Sequence, residues 1–153
     1  MSRYAEHTTV TPDHSIAEIR RVLSRYGATQ FAYMEDSRRA AVAFNANGRN
    51  IRFILPMPDA TEATRTPKGR KRKGTVVDQV HAQEIRRRWR ALALSIKAKL
   101  GTVESGIAEF ETEFMAYTVL PNGKTVAENI LPEIARAYET GRMPKLLEAL
   151  EEP

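Results

Sequence analysis

Residues 78–119 read DQVHAQEIRRRWRALALSIKAKLGTVESGIAEFETEFMAYTV and contain no proline. Apolar residues recur in this stretch at intervals of four and three, namely Ile85, Trp89, Leu92, Ile96, Leu100, Val103, Ile107, Phe110, Phe114 and Tyr117. This spacing keeps one apolar stripe on one side of an α-helix, because residues three and four apart lie above one another. A single helix of that length would be roughly 60 Å long. It is therefore the element against which we expect the rest of the chain to pack.

Two glycines interrupt the pattern, Gly101 and Gly106. Each costs a helix interior about 1 kcal/mol relative to alanine. They flank the point at which the charge of the stretch changes from basic to acidic. They either permit close packing of another element or mark a bend, and we expect a bend that divides the stretch into two helices.

A helix and three strands are predicted before this stretch. Ser15 and Glu18 have the spacing of a capping box, and Gly27 has the position of a helix C-cap. Alternating segments follow at 29–34, 39–45 and 50–55, and the hairpin dipeptide Asn47-Gly48 joins the last two. The meander should bury one apolar face, made by Phe31, Tyr33, Val42, Phe44, Ile51, Phe53 and Leu55.

The expected fold class is α+β. It has an N-terminal helix, a three-stranded antiparallel meander packed against the long, bent helix, and short C-terminal helices. The first of these starts at the capping box Thr125–Glu128 and ends at Gly141, and the second covers 143–150. We expect a single domain over residues 1–153, with a mobile N-terminal arm at 1–13 and a mobile basic loop at 59–75.

Composition excludes several classes of protein. Hydrophobic residues make up 42% of the 153 residues and charged residues 28%, as in ordinary soluble proteins. Cysteine is absent, which excludes disulfides and thiolate chemistry. No apolar run approaches the ~20 residues of a membrane span, and residues 1–14 do not resemble a signal peptide. We therefore expect no membrane partner and a cytoplasmic location.

Positive charge is concentrated in one third of the chain. Residues 65–99 contain twelve Lys and Arg but only two acids, Asp78 and Glu84, so this segment has a net charge of +10. The rest of the chain has a net charge of −5, which gives +5 for the whole chain. A basic pole of this kind suits a polyanion, although the same cations could simply solvate an exposed helix face. The candidate phosphate contacts are Lys68, Arg70, Lys71, Arg72, Lys73, Arg86, Arg87, Arg90, Lys97 and Arg52.

Two aromatic residues are candidates for stacking on an unpaired base. Trp89 lies among the arginines and also on the apolar stripe, so it is either a stacking platform or a core anchor. Tyr33 has the same two interpretations.

Catalytic patterns are missing from the sequence. His7, His14 and His81 lack metal-ligand spacing, and there is no glycine-rich phosphate loop or Gly-x-Ser-x-Gly elbow. Asp78 and Glu84 could hold a divalent ion beside a phosphate, but acids near a helix N-terminus also simply favour the helix. We expect no enzymatic activity, no metal and no cofactor.

Several short segments together suggest a family, namely 88–100 (RWRALALSIKAKL), 103–106 (VESG), 120–125 (LPNGKT) and 140–144 (TGRMP), with MSRYA at the start and Tyr26-Gly-Ala. In these segments the chain resembles a family of small uncharacterised accessory proteins of tailed bacteriophages and prophages. The resemblance implies a phage protein made in the host bacterial cytoplasm and carries no assigned site residues. The expected order of elements is also similar in topology to that of phage single-strand annealing proteins, and fold alone does not fix function.

Three functional hypotheses follow. The first is a non-catalytic phage nucleic-acid-binding protein, with single-stranded DNA as the favoured ligand and a homo-oligomer as the expected state. The second is a counter-defence or regulatory protein that binds a host protein or sequesters a signalling nucleotide. The third is self-association of the long helix as a coiled coil, which its near-heptad spacing permits.

Overall fold

The chain folds around one long helix that faces a small sheet, as the apolar pattern predicts. The computed structural model describes residues 3–144. Its helices and strands are, in chain order, α1 (Pro12–Tyr26), β1 (Thr29–Glu35), β2 (Arg39–Ala46), β3 (Arg49–Pro56), α2 (Gly74–Glu104), α3 (Phe110–Phe114) and α4 (Val126–Thr140). Short 3-10 turns lie at Ala60–Thr64 and Met115–Tyr117. The α+β prediction is confirmed.

The predicted bend in the long stretch is a complete break. Helix α2 ends at Glu104, and the next helical residue is Phe110. Gly106 has a φ of 75°, in the left-handed region that glycine adopts without a side-chain clash, whereas Gly101 lies inside α2. The amides of Ile107 and Ala108 donate to Thr102 O and close the end of α2. Of the two glycines, Gly106 therefore makes the turn.

Helix α1 begins earlier than its predicted capping box. Its N-cap is Thr11, whose side chain accepts a hydrogen bond from the His14 amide, and Pro12 occupies the first turn. Ser15 is fully buried instead of capping the helix, and Glu18 turns toward α2. The Ser15–Glu18 capping box was therefore wrong. Proline at the first helical position leaves no unsatisfied amide there, which favours the earlier start.

The sheet is an antiparallel meander in the order β1-β2-β3, as predicted. Asn47 and Gly48 both have positive φ, 51° and 71°, and they fix the register of the β2–β3 hairpin. The pairing of β1 with β2 is regular from Ala32 to Glu35 but shifts between Thr29 and Ala32.

The core lies between one face of the sheet and helices α1 and α2. Trp89, Ile96 and Leu100 on α2 are buried to 2% exposure or less. The ring of Phe114 on α3 meets Phe44 and Phe53 edge-on, at 6.2 and 6.3 Å between centroids. Because each large apolar side chain contributes about 1.5–3 kcal/mol on burial, this cluster dominates stability. Tyr33 lies on the predicted face, opposite Val42 and beside Trp89, but it is 53% exposed, so its predicted burial was wrong. The α2 stripe is used within the monomer and is not free to form a coiled coil.

The structure also describes most of the segments predicted as a mobile arm, a mobile loop and C-terminal helices. In the arm, the carbonyls of Glu6 and Thr8 accept hydrogen bonds from the Gln83 side chain on α2. The loop contains the 3-10 turn Ala60–Thr64 and ends where α2 starts, at Gly74. The Thr125–Glu128 capping box is confirmed. The helix predicted at 143–150 lies, from residue 145 onward, outside the described residues.

Candidate nucleic-acid interface

The arginines of α2 converge on one carboxylate. Glu84 accepts hydrogen bonds from Arg87 at 2.6 and 2.8 Å and from Arg88 at 2.9 Å, and Arg3 lies 3.6 Å away. Hydrogen bonding by the Arg87 guanidinium, followed by that of Arg88, lowers the pKa of Glu84 to about 2, against the opposing effect of burial. The two arginines therefore serve to hold a partly buried anion.

These arginines also tie α2 to neighbouring segments. Arg88 donates to Pro56 O at the end of β3, at 2.7 Å, and contacts Glu62 at 3.4 Å. Arg87 donates to Tyr4 O at 3.4 Å. Moving either side chain onto a phosphate would break contacts that position β3 and the N-terminal segment.

The next basic residues along α2 are engaged by α1. Arg90 forms an ion pair with Glu18, and Lys97 lies 3.6 Å from the same carboxylate. Burial would raise the pKa of Glu18, but hydrogen bonding and the charge of Arg90, helped by Lys97, lower it overall. The link joins the two helices that pack against each other.

Two further candidates are engaged elsewhere. Arg86 donates to Gln83 Oε1 at 2.6 and 3.0 Å, and Arg52 pairs with Glu128 at 3.0 Å. The expected open basic track along α2 and the sheet is therefore not what the structure shows, because Arg87, Arg90 and Arg52 pair with carboxylates and Arg86 donates to a neutral amide. The side chain of Lys97 is 56% exposed and lies 3.6 Å from Glu18. The predicted role of the four arginines in phosphate contact loses its support.

The aromatic candidates behave differently from each other. Trp89 is 0% exposed, so it is a core anchor, and its interpretation as a stacking platform was wrong. Tyr33 meets the Trp89 ring edge-on at 6.5 Å while more than half of its surface is open to solvent. Tyr33 is thus the stacking candidate whose ring is accessible.

A second group of cations lies on a closed turn, residues 66–73, which we call the basic turn. The Gly69 amide donates to Thr66 O at 2.8 Å, the Thr66 amide donates to Arg70 O at 2.8 Å, and Gly69 has a φ of 79°. The Arg72 guanidinium donates to Ala63 O and Arg65 O at 3.0 and 2.7 Å. Arg72 therefore holds the basic turn in place and is not a free cation.

The remaining four cations of the basic turn point to solvent. Lys68, Arg70, Lys71 and Lys73 are exposed. Within residues 3–144, none of them has a carboxylate oxygen within 4.0 Å, since no salt bridge includes them. Four uncompensated charges within six residues make this the most concentrated free positive charge in the predicted basic pole.

The start of α2 adds to this positive field. Helix α2 is 31 residues long and begins directly after Lys73, and no side chain caps its first amides. Its first turn contains no acidic residue. The positive end of the helix dipole therefore lies next to the basic turn and is uncompensated there.

A cavity of about 350 Å³ lies behind the basic turn. Three carboxylates and three guanidinium groups line it, those of Asp59, Glu62 and Glu84 and those of Arg3, Arg65 and Arg72. Carboxylates offset the cations here, so the cavity lacks the net positive lining that a nucleotide phosphate requires.

The partners of the α2 arginines were partly readable from the sequence. Glu84 precedes Arg87 and Arg88 by three and four residues, which is the spacing of helical ion pairs. Glu18 and Arg90 are 72 residues apart, so no local pattern indicates that pair.

Comparisons with protein-family models, curated proteins and solved structures find no match to this chain. The resemblance to phage accessory proteins therefore stays a prediction. Among residues 3–144, no helix is both long enough and apolar enough to span a membrane.

Proposed function

We propose that this protein is a non-catalytic nucleic-acid-binding protein of a bacteriophage. In this proposal the basic turn makes the contacts with phosphates. The observation that supports this most strongly is the exposure of Lys68, Arg70, Lys71 and Lys73 without a carboxylate partner in the described chain. Free cations release counterions from a phosphate backbone when they bind it, which drives association.

The contrast with α2 narrows the proposed contact surface. A cation that already donates to Glu84 or Glu18 must give up those bonds before it can bind a phosphate. A cation of the basic turn gives up only water. The basic turn is therefore the first contact.

Single-stranded DNA is the favoured ligand. Lys and Arg side chains on a short turn contact phosphates without reading base edges, so they place no requirement on the sequence of the ligand. The accessible ring of Tyr33 adds a surface on which an unpaired base could stack.

Fluorescence anisotropy with labelled oligonucleotides across a salt series tests the proposal. For the unmodified protein, the logarithm of the association constant should fall linearly with the logarithm of salt concentration. Replacing Lys68, Arg70, Lys71 and Lys73 by alanine should reduce that slope by about 3 for single strands, because each phosphate contact contributes about 0.7. Parallel titrations with duplex DNA and RNA rank the ligands.

A matched control removes four exposed charges elsewhere. Arg38, Arg39, Lys124 and Arg142 are exposed and lie in no salt bridge of the described chain, so their alanine variant has the same net charge as the basic-turn variant. We expect its salt dependence to stay close to that of the unmodified protein. Equal losses in the two variants, or no salt-dependent binding to any oligonucleotide, would rule out the basic turn as the contact.

The alternative, binding of a host protein or a signalling nucleotide, has less support because carboxylates line the cavity beside the basic turn. A thermal-shift panel distinguishes it. A cyclic nucleotide or a single host protein that raises the melting temperature, while oligonucleotides do not, would favour the alternative.

A further inference from the structure

The outer edge of β1 carries backbone groups that no other part of the described chain uses. The Asp36 amide donates to Arg39 O at 2.9 Å, and the register pairs Met34 with Ala41. In an antiparallel ladder, residues bonded to the neighbouring strand alternate with residues that face away. Met34 therefore bonds to β2, while Tyr33 and Glu35 direct their N–H and C=O groups outward.

Proteins commonly guard edge strands against pairing with charged residues, proline or a bulge. The regular part of this edge has only one of these features, the charge of Glu35. Strand β1 (TQFAYME) contains no Lys, Arg or Pro, and its irregularity is confined to the beginning, between Thr29 and Ala32. The regular portion from Ala32 to Glu35 is open, and Met34 within it is 63% exposed.

Charges beside the edge are arranged to complement a second copy. Glu35 ends β1, while Arg20 and Arg21 of α1 line a surface groove together with Tyr33. None of these three charged residues forms a salt bridge within residues 3–144. Glu35 and Tyr33 share the face of the sheet on which α1 lies, because their β2 partners are the buried Ala40 and Val42.

We propose that β1 pairs antiparallel with β1 of a second copy of this chain, so that two meanders form one six-stranded sheet. Tyr33 of each copy then lies opposite Glu35 of the other, and the outward-facing backbone groups of both residues exchange hydrogen bonds across the twofold axis. Glu35 comes to lie beside the arginines that flank Tyr33 of the second copy. A twofold axis makes this contact twice.

The pairing also covers exposed apolar surface. The two copies of Met34 meet at the twofold axis on the other face of the sheet. In each copy, Met34 continues a row across the strands with Ala41 and Ile54, and Ile54 is 41% exposed. The twofold axis extends this row across six strands.

Sedimentation velocity over a wide range of concentration tests the interface on the full chain. The unmodified protein should approach twice its mass of 17.3 kDa as concentration rises. Met34→Lys places two like charges next to each other at the axis and should weaken the dimer by at least about tenfold. The control Ile54→Lys puts the same charge on the same face, away from the edge, and should leave the dimer intact.

Charge reversal gives an independent readout that does not depend on packing. Glu35→Arg should weaken the dimer, and adding Arg20→Glu and Arg21→Glu should restore it. A protein that stays monomeric at all concentrations, a dimer that Met34→Lys leaves unchanged, or a charge reversal without restoration would overturn this interface. The readout is mass, so a failure of the dimer is distinguishable from a failure of nucleic-acid binding. The two proposals meet at Tyr33, because Glu35 of the second copy would lie against the ring on which a base could stack.

Discussion

The two basic regions of this protein have similar sequences and opposite environments. Residues 86–90 (RRRWR) and 68–73 (KGRKRK) each contain four or five cations. On α2 the arginines donate to Glu84, Glu18, Gln83 and backbone carbonyls. Lys68, Arg70, Lys71 and Lys73 of the basic turn are exposed and have no carboxylate partner within residues 3–144. The difference shows that the position of the carboxylates, and not the count of cations, decides which positive charges stay unpaired in the described chain.

The helical cations act mainly as structural links. Arg88 joins α2 to β3 and Glu62, Arg87 joins it to Tyr4, and Arg90 joins it to Glu18 of α1. The pairs that Arg87 and Arg88 make with Glu84, and Arg90 with Glu18, are largely buried, and hydrogen bonds to charged groups contribute about 1.5–3 kcal/mol each. Changes in the two regions should therefore affect different properties, stability for α2 and binding for the basic turn.

The largest expected effect is the loss of stability when Trp89, the aromatic residue among the arginines of α2, is replaced. Trp89→Ala should lower the free energy of unfolding by about 3–5 kcal/mol, because it empties a fully buried site. Urea denaturation followed by circular dichroism measures this. Tyr33→Ala is the control, and its half-exposed ring should cost much less. A Trp89→Ala protein of unchanged stability would mean that the ring is not in the core.

The next effect concerns the carboxylate that holds the arginines. Glu84→Gln should lower the free energy of unfolding by about 1.5–3 kcal/mol at neutral pH, because hydrogen bonds to a charged group are weakened. The control is Glu104→Gln, on the same helix, which forms no salt bridge within the described residues. Equal stabilities for the two variants would contradict the linking role of Glu84.

Acid should weaken the same cluster in a defined range. The pKa of Glu84 is about 2 in the folded protein against 4.5 for the free side chain, so the folded state favours the ionised form. Its contribution is complete above about pH 5 and is lost as the pH falls from 4.5 toward 2. Glu84→Gln should therefore show a shallower loss of stability over that range. Parallel stability profiles for the two proteins would contradict this assignment.

The smallest expected effect on stability belongs to the basic turn. Each of the single substitutions Lys68→Ala, Arg70→Ala, Lys71→Ala and Lys73→Ala should change the free energy of unfolding by no more than about 0.5 kcal/mol, because exposed residues without partners contribute little. The same urea titrations measure it. A loss above 1.5 kcal/mol, as for Glu84→Gln, would show that these cations have internal partners.

Features set by neighbouring residues were predictable from the sequence. The intervals of four and three place α2, and Asn47-Gly48 places the β2–β3 hairpin, since both patterns act over a few residues. The bend was also predictable, although only Gly106 has the left-handed conformation that ends a helix.

Features set by distant contacts were not predictable. The pairing of Glu18 with Arg90 arises from the packing of α1 on α2, and nothing near either residue indicates it. The burial of Trp89 was one of two interpretations, because a single aromatic on an apolar stripe next to arginines fits both. The total charge of the basic pole was predictable from composition. Which of its cations lack a carboxylate partner could be known only from the positions of the glutamates in the fold.

The central claim is tested most directly by removing two charges from each region and comparing salt dependence. Anisotropy with a labelled single-stranded DNA oligonucleotide is measured for Lys68→Ala with Arg70→Ala, and for Arg86→Ala with Arg90→Ala, whose side chains donate to Gln83 and Glu18. The account predicts that the basic-turn pair reduces the salt slope by about 1.4, two contacts at about 0.7 each, and that the helix pair leaves it unchanged. A reduced slope for the helix pair, with an unchanged slope for the basic-turn pair, would contradict it.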